Sequence, residues 1–197
     1  MARVAPLDRS ELGEFEEFFK IVEQVMGFVP NSMLTLGRRP ELLRGFAALS
    51  GAVLGPGKIP LDLKQLIAFA SSNASGCRYC QAHTSASASR VGAPPEKIAA
   101  ALEYDLSSLF SDAERAALRL ANDASLVPNA VTDEHFAALR KHYDEEQIVE
   151  IMAVIAMFGW LNRWNDSMAT TLEGEPVAFA RTHLAPRGWE IGAHGKS

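Results

Sequence analysis

Apolar side chains recur at spacings of three and four residues along most of the chain, which is the period of an α-helix. The first clear example is closed by Gly27 and consists of Leu12, Phe15, Phe19, Val22 and Met26. No stretch alternates polar and apolar positions convincingly, as a half-buried β-strand would. The pattern therefore predicts an all-α fold.

Prolines, glycines and capping residues divide this pattern into separate helices. Pro40 starts one helix, and the run GPGKIP at residues 55–60 separates it from the next. That next helix ends near residues 75–76, and another is expected to start at the cysteine pair and run to Arg90. Further along, Ser111 has a glutamate three residues later, which is the spacing of a capping box.

A long helix is predicted over residues 144–172, and its middle is apolar on every side. Such a helix is buried in a core or between subunits. Because several buried faces are expected in one chain, we predict a compact multi-helix domain over residues 1–174 that self-associates. Residues 175–197 contain two prolines and several glycines, and we predict a C-terminal tail or arm there.

Composition and charge exclude several classes of partner. Apolar residues make up 48% of the chain and charged residues 22%, with a formal net charge of -5. No basic run with interleaved aromatic residues occurs, so we expect no nucleic acid partner. The longest apolar run, residues 151–161, is shorter than the roughly 20 residues that span a bilayer, and residues 1–17 lack the apolar segment of a secretory signal. We therefore expect a cytoplasmic protein with no membrane partner.

The candidate chemistry is concentrated in residues 76–84, which read GCRYCQAHT and contain both cysteines of the chain, Cys77 and Cys80. Cytoplasmic thiols are normally kept reduced, so a close pair indicates catalysis, redox sensing or metal binding before a structural disulfide. Residues three apart on a helix share a face, which allows exchange between dithiol and disulfide. Gly76 places Cys77 at the helix start, where free N–H groups and the helix dipole favour a thiolate.

His83 follows Cys80 by three residues, so its ring is expected to reach that sulfur. An imidazole in that position can take the thiol proton, or hold the thiolate when it is itself protonated. The same three residues can instead supply ligands to zinc or iron, and two cysteines can also pack simply as small apolar residues. A structural zinc site needs a fourth ligand and usually gathers two separated pairs. Because the sequence has no second pair, we predict no metal and no other cofactor, and favour thiol redox chemistry.

In this segment the chain resembles the carboxymuconolactone decarboxylase-like superfamily, and specifically its alkyl hydroperoxidase D-like, peroxidase-related branch. The resemblance covers about residues 28–172 and includes RPEL at 39–42, FSDAE at 110–114 and FGWLNRWND at 158–166. It implies a compact all-α alkyl hydroperoxidase D-like fold that forms a homo-oligomer such as a dimer, trimer or hexamer. It also implies an oxidoreductase, a thiol-dependent peroxidase or disulfide reductase.

The resemblance also assigns roles to the residues of the motif. It implies that Cys80 is the nucleophile that attacks a small-molecule peroxide, and that Cys77 resolves the resulting sulfenic acid into a disulfide. A thiol reductant protein or a small dithiol would then restore the dithiol. His83 falls at the histidine of the motif and would transfer a proton. The sequence names neither the peroxide nor the reductant.

One position departs from the family pattern. In the family, the proton relay includes a glutamate twelve residues before the first cysteine. This chain has Gln65 at that position. We include Gln65 among the candidate catalytic residues because an amide can orient an imidazole or a water, although it cannot accept a proton. Asp62, one helical turn earlier, is the nearest upstream carboxylate that could substitute.

Two other functions remain open at this stage. The chemistry of the family's namesake, decarboxylation or reaction of a lactone, proceeds without a cysteine pair. A non-enzymatic, redox-sensing oligomer is also consistent with the sequence, because Gln65 in place of a carboxylate would fit a loss of turnover. The polar residues Asn162, Arg163, Asn165 and Asp166 follow a buried apolar run, and either form a wall of the site or bond across an interface.

Overall fold

The structure is a computed structural model that describes residues 2–195. Within this range helices are the only regular secondary structure and no β-strand is formed, which confirms the predicted all-α class. The α-helices are α1 (Glu16–Met26), α2 (Asn31–Leu36), α3 (Pro40–Leu54), α4 (Leu61–Ala74), α5 (Arg78–Arg90), α6 (Pro95–Ala100), α7 (Asp112–Ala124), α8 (Asp133–Leu139), α9 (Glu145–Met168) and α10 (Gly174–His183). Short 3-10 segments lie at Arg9–Phe15, Ala101–Glu103, Ala185–Arg187 and Gly192–His194.

Helix boundaries follow the local signals in the sequence, with one exception. The capping box at Ser111 is confirmed: its hydroxyl accepts from the Glu114 amide at 3.3 Å, and the Glu114 carboxylate accepts from the Ser111 amide at 2.9 Å. The long helix α9 was predicted to reach residue 172 but ends at Met168. It ends there because Ala169 adopts the left-handed conformation (φ 47) and the Thr170 amide bonds back to the Asn165 carbonyl at 3.1 Å.

Helix α4 occupies the centre of the fold. It packs against α5, α7 and α9, and most of its length is buried. The core around it combines aliphatic and aromatic side chains from these helices: Leu66, Ile67, Phe69, Leu118, Leu120, Ile151 and Val154. Because α4 and α5 follow each other directly in the chain, this packing fixes the start of α5, which carries the cysteines, against the core.

An ion pair between buried Lys64 and partly buried Glu150 attaches residues 55–60 to this core. The Lys64 side chain is only 1% exposed, and its Nζ lies 2.6 Å from Glu150 Oε1. Nζ also donates to the carbonyls of Val53 and Gly55, while Glu150 Oε2 accepts from the amide of Ile59 at 3.0 Å. Because Lys64 Nζ and both carboxylate oxygens of Glu150 have hydrogen-bond partners, the fold can accommodate this ion pair beneath its surface.

The segment that was predicted as a tail or arm packs on the helix that carries the cysteines. Helix α10 lies along α5, with Ala180 and Leu184 buried. Further on, Trp189 Nε1 donates to the Arg78 carbonyl at 3.2 Å, so the chain covers the start of α5. A domain boundary at residue 174 stays a prediction.

The sequence also led to expectations about membrane association and about assembly. No helix between residues 2 and 195 is long and apolar enough to cross a lipid bilayer. The homo-oligomer and the cytoplasmic location stay predictions.

Candidate active site

The two cysteines lie at the start of α5, as the sequence predicts: Cys77 precedes the helix and Cys80 lies in its first turn. Gly76 makes the turn between α4 and α5 with φ 74, a conformation that glycine adopts without a steric penalty. Cys77 is the N-cap of α5, and its Sγ accepts from the Cys80 amide at 3.4 Å. Both thiols are free and buried. The chain thus forms a closed dithiol site at a helix N-terminus.

The two thiols differ in acidity because their surroundings differ. Hydrogen bonding from the side chain and the backbone amide of Cys80 lowers the pKa of Cys77 below that of an ordinary thiol, against the effect of burial. Burial raises the pKa of Cys80 well above its ordinary value, and the bond that its thiol makes to Cys77 acts in the same direction. When one of the two thiols loses its proton, the negative charge is therefore favoured on Cys77. The nucleophilic role of Cys80, implied by the family resemblance, stays a prediction.

Helix α9 supplies a polar contact to the sulfur of Cys80. Asn165 is 1% exposed, and its Nδ2 lies 3.5 Å from Cys80 Sγ. The Oδ1 atom at the other end of the same amide is buried and has no hydrogen-bond partner. One turn earlier, Asn162 also has an unpartnered Oδ1, but its Nδ2 lies 3.5 Å from the Ser71 carbonyl of α4 instead of a sulfur. A buried amide oxygen without a partner is uncommon in proteins and calls for an explanation.

His83 is hydrogen-bonded to a carboxylate and packed between aromatic rings. Its Nε2 lies 2.6 Å from Glu173 Oε2. The ring stacks on Tyr79 with centroids 4.3 Å apart, and Phe28 contacts it edge-on at 5.5 Å. No hydrogen bond joins His83 to either cysteine in the part of the chain that the structure describes. The hydrogen bond of Nε2 goes to Glu173 instead of a sulfur, and stacking on Tyr79 holds the ring in that orientation. A role for His83 in proton transfer stays a prediction.

Glu173 is the residue of the site that sequence reasoning missed. It lies between α9 and α10, and its Oε1 accepts from the backbone amide of Asn31 at 2.6 Å and from the Tyr79 hydroxyl at 3.0 Å. Burial acts to raise the pKa of Glu173, but His83 and the Asn31 amide together outweigh burial and hold that pKa below its ordinary value. Burial also raises the pKa of Tyr79 well above its usual range, so the phenol stays a neutral donor. Since 90 residues separate His83 from Glu173, no local spacing signals this pair.

The two upstream candidates make no such contacts. Gln65 is buried in α4, not on the helix surface, and its side chain forms no hydrogen bond with another residue in the range 2–195. Asp62 lies in the first turn of the same helix and is partly exposed. Gln65 as a catalytic residue stays a prediction, and the carboxylate that the structure brings to His83 is Glu173.

Between residues 2 and 195, no group of three or more histidine, cysteine, aspartate or glutamate side chains is arranged to hold a metal ion. The described part of the chain thus combines a helical fold with a buried Cys-x-x-Cys pair at a helix N-terminus. The model of the carboxymuconolactone decarboxylase family matches residues 40–123. The chain is 34% identical over 104 residues to the uncharacterized protein YdfG of Bacillus subtilis (strain 168), covering 52% of this chain and 68% of YdfG. It therefore belongs to the carboxymuconolactone decarboxylase family.

A second bacterial relative extends this comparison. The uncharacterized protein YnjA of Escherichia coli (strain K12) is 30% identical over 117 residues, which cover 58% of this chain and 64% of YnjA.

Solved structures of similar chains include enzymes. The debrominase Bmp8 is 41% identical, with a TM-score of 0.86 over 90% of this chain and 96% of Bmp8. A cysteine-to-alanine variant of Bmp8, solved in complex with 2,3,4-tribromopyrrole, gives 40% identity and the same TM-score over 91% of this chain and 96% of that chain. A peroxidase-related protein from Ralstonia eutropha JMP134 with an alkylhydroperoxidase AhpD core is 27% identical, with a TM-score of 0.75 over 85% of this chain and 88% of that one. The predicted alkyl hydroperoxidase D-like fold is confirmed.

Proposed function

We propose that this protein is a dithiol oxidoreductase in which Cys77 and Cys80 supply two electrons to a small electrophile and end as a disulfide. The observation that carries the proposal is the N-cap geometry: Cys77 Sγ accepts from the Cys80 amide, and the pKa of Cys77 is lowered. A thiolate held at a helix N-terminus beside a second thiol is the arrangement that dithiol redox chemistry requires.

A hydroperoxide is the first substrate class that we propose. Cys80 gives its proton to the Cys77 thiolate and attacks the terminal peroxide oxygen, so that the O–O bond breaks and an alkoxide leaves. The alkoxide takes a proton and becomes an alcohol. The Cys77 thiol then displaces the hydroxyl of the Cys80 sulfenic acid as water, which forms the disulfide. An external dithiol reductant restores both thiols by exchange.

His83 and Glu173 serve proton transfer in this scheme. The carboxylate accepts from His83 Nε2 at 2.6 Å, and this bond fixes the tautomer and the orientation of the ring. A protonated His83 can supply the proton that the leaving alkoxide needs, through a bound water or the substrate itself, since no direct bond to a sulfur is required for that step.

A halogenated heteroaromatic ring is the second substrate class, favoured by the 41% identity to the debrominase Bmp8. The same two thiols supply the two electrons that this reaction needs. Two thiols and one carbon–bromine bond give one carbon–hydrogen bond, one disulfide, one bromide and one proton. The electrons come from the two sulfurs in both reactions, and only the atom that accepts them differs.

Turnover with dithiothreitol as the reductant tests the proposal. Wild-type protein is given tert-butyl hydroperoxide or 2,3,4-tribromopyrrole, and alcohol or bromide is quantified. We expect Cys77→Ser and Cys80→Ser each to abolish turnover, while Ser75→Ala, a control at the same turn, retains it. Turnover that persists in Cys80→Ser would overturn the proposal.

Two further measurements address the other two functions, lactone chemistry and redox sensing. Reaction of a carboxylated lactone by a protein that lacks both cysteines would favour the chemistry of the family's namesake. A change of oligomer mass on oxidation, with no turnover of either substrate, would favour a redox-sensing oligomer.

A further inference from the structure

Between residues 2 and 195, the buried side-chain polar atoms that lack partners are concentrated at the C-terminal end of α9. The side-chain oxygens of Asn162, Asn165 and Thr170 and the indole nitrogen of Trp164 are buried and unpartnered, and all of them belong to the C-terminal half of α9 or to the residues just after it. Of these four residues, only Asn165 hydrogen-bonds a cysteine sulfur. Leaving such an atom unbonded costs about as much as a lost hydrogen bond, so a partner supplied by a ligand is a physical explanation for its retention.

The geometry of Asn165 ties this unpartnered oxygen to the reacting atoms. Its Nδ2 lies 3.5 Å from Cys80 Sγ, and its Oδ1 is attached to the same amide carbon. A ligand group that bonds to Oδ1 is therefore held by the same amide that contacts the Cys80 sulfur. Because Asn165 is 1% exposed and Cys80 is 2% exposed, solvent cannot satisfy this oxygen freely.

We propose that Asn165 determines substrate specificity, with Oδ1 accepting an N–H or O–H group that lies next to the electrophilic atom of the substrate. The inference rests on the proposed dithiol function and narrows its substrate class. An amide oxygen is an acceptor only, so it selects a donor. Hydroperoxides carry such a donor on the reacting O–O group, and ring N–H groups of halogenated pyrroles carry one beside the halogenated carbon. Analogues with this hydrogen replaced by an alkyl group leave the oxygen unpaired.

Selection of this kind is strong when the acceptor is buried. A site built to bond a substrate donor rejects an analogue without it, because its own polar atom then stays unpaired. From the usual cost of a buried unpaired group, we expect the protein to prefer the N–H form of a ligand over the N-methyl form by at least about tenfold.

Equilibrium binding to the Cys77→Ala protein tests the proposal, because this variant keeps Cys80 and Asn165 but cannot complete turnover. The probes are 2,3,4-tribromopyrrole and its N-methyl derivative. We expect the parent protein to favour the N–H probe and Asn165→Leu to bind both alike. Asn165→Asp keeps an acceptor oxygen and should keep the preference, although a negative charge beside Cys80 slows turnover in the otherwise wild-type protein. Asn162→Leu is the matched control on the same helix and should leave the preference unchanged.

A second arm identifies a hydroperoxide ligand if the pyrroles do not bind. In the otherwise wild-type protein, Asn165→Leu should then slow thiol oxidation by tert-butyl hydroperoxide at least about tenfold, while Asn162→Leu does not. Equal effects of the two substitutions, or no effect of Asn165→Leu in either arm, would overturn the role of Asn165. Because thiol loss in the wild-type protein is measured separately, a failure of the dithiol function is distinguished from a failure of this specificity.

Discussion

His83 Nε2 lies 2.6 Å from Glu173 Oε2, across 90 residues of sequence. This bond joins the helix that carries the cysteines to the residue that precedes α10. The second carboxylate oxygen of Glu173 accepts from Asn31 at the start of α2, so one side chain ties three helices together. In this chain the carboxylate of the site thus comes from the C-terminal part of the sequence.

Replacing Glu173 by glutamine should slow the chemical step. Glutamine can accept the bond from His83 but is a neutral partner that also presents an amide NH₂, so it orients the ring less strictly, and loss of such a supporting partner costs about 10–100-fold. We expect Glu173→Gln to lower kcat with little change in KM, because Glu173 acts through His83. Glu175→Gln, which removes an exposed ion pair with Arg90, is the control and should leave both constants unchanged. An equal loss in both variants would argue against a specific role.

Glu173 should also make stability depend on pH in the acid range. Its folded-state pKa is lowered from the ordinary value, so its contribution is fully present above the unfolded-state pKa of about 4.3 and is lost as pH falls through the folded pKa. The difference in the free energy of unfolding between wild type and Glu173→Gln should therefore be largest near neutral pH and shrink below about pH 4.3. Urea unfolding at a series of pH values measures it. A difference that grows on acidification would contradict the assignment.

The two thiols should titrate separately. Thiolate absorbance at 240 nm should show Cys77 in the Cys80→Ser variant ionising below the ordinary thiol pKa of about 8.5, because the serine hydroxyl can still donate to Cys77. In Cys80→Ala the side-chain donor is lost, and the Cys77 pKa should rise relative to Cys80→Ser. In Cys77→Ser, Cys80 should ionise above about 8.5. The reverse order of the two single thiols would show that the charge rests on Cys80.

The ion pair between Lys64 and Glu150 should be among the most costly to break. Removing Lys64 leaves the partly buried Glu150 carboxylate without its partner, and breaking a buried pair in this way typically destabilises a protein by about 3–5 kcal/mol. We expect a loss of this size for Lys64→Met in chemical denaturation. Lys58→Met removes an exposed lysine from ion pairs on the neighbouring surface and should cost about 1 kcal/mol or less. A small effect of Lys64→Met would mean that the pair adds nothing beyond apolar packing.

Local signals predicted much of the fold and half of the site. Apolar periodicity, Pro40 and the capping box at Ser111 mark helices because each acts within a few residues of itself. The placement of the cysteines at the start of α5 was also predictable, because Gly76 supplies the turn. The end of α9 was missed, since nothing in the sequence marks Ala169 as a left-handed residue.

The remaining parts of the site depend on contacts between distant segments. Glu173 is paired with His83 by the packing of α10 on α5, and no spacing encodes that packing. Likewise, Asn165 was recognised as a polar residue after an apolar run, but its contact with Cys80 follows from how α9 packs on α5. The spacing allowed His83 to reach Cys80 but could not predict its hydrogen bond to Glu173, because helical spacing brings residues together without fixing where a ring points.

Counting thiols and measuring mass before and after one equivalent of substrate tests the dithiol function most directly. Reduced wild-type protein is treated with tert-butyl hydroperoxide or 2,3,4-tribromopyrrole, and then analysed by thiol titration, intact mass and peptide mapping. We expect at least one of the two substrates to remove both thiols and leave a Cys77–Cys80 disulfide, and Cys77→Ser instead to hold the oxidation product on Cys80. Two thiols that remain free after treatment with each of the two substrates would contradict the dithiol function.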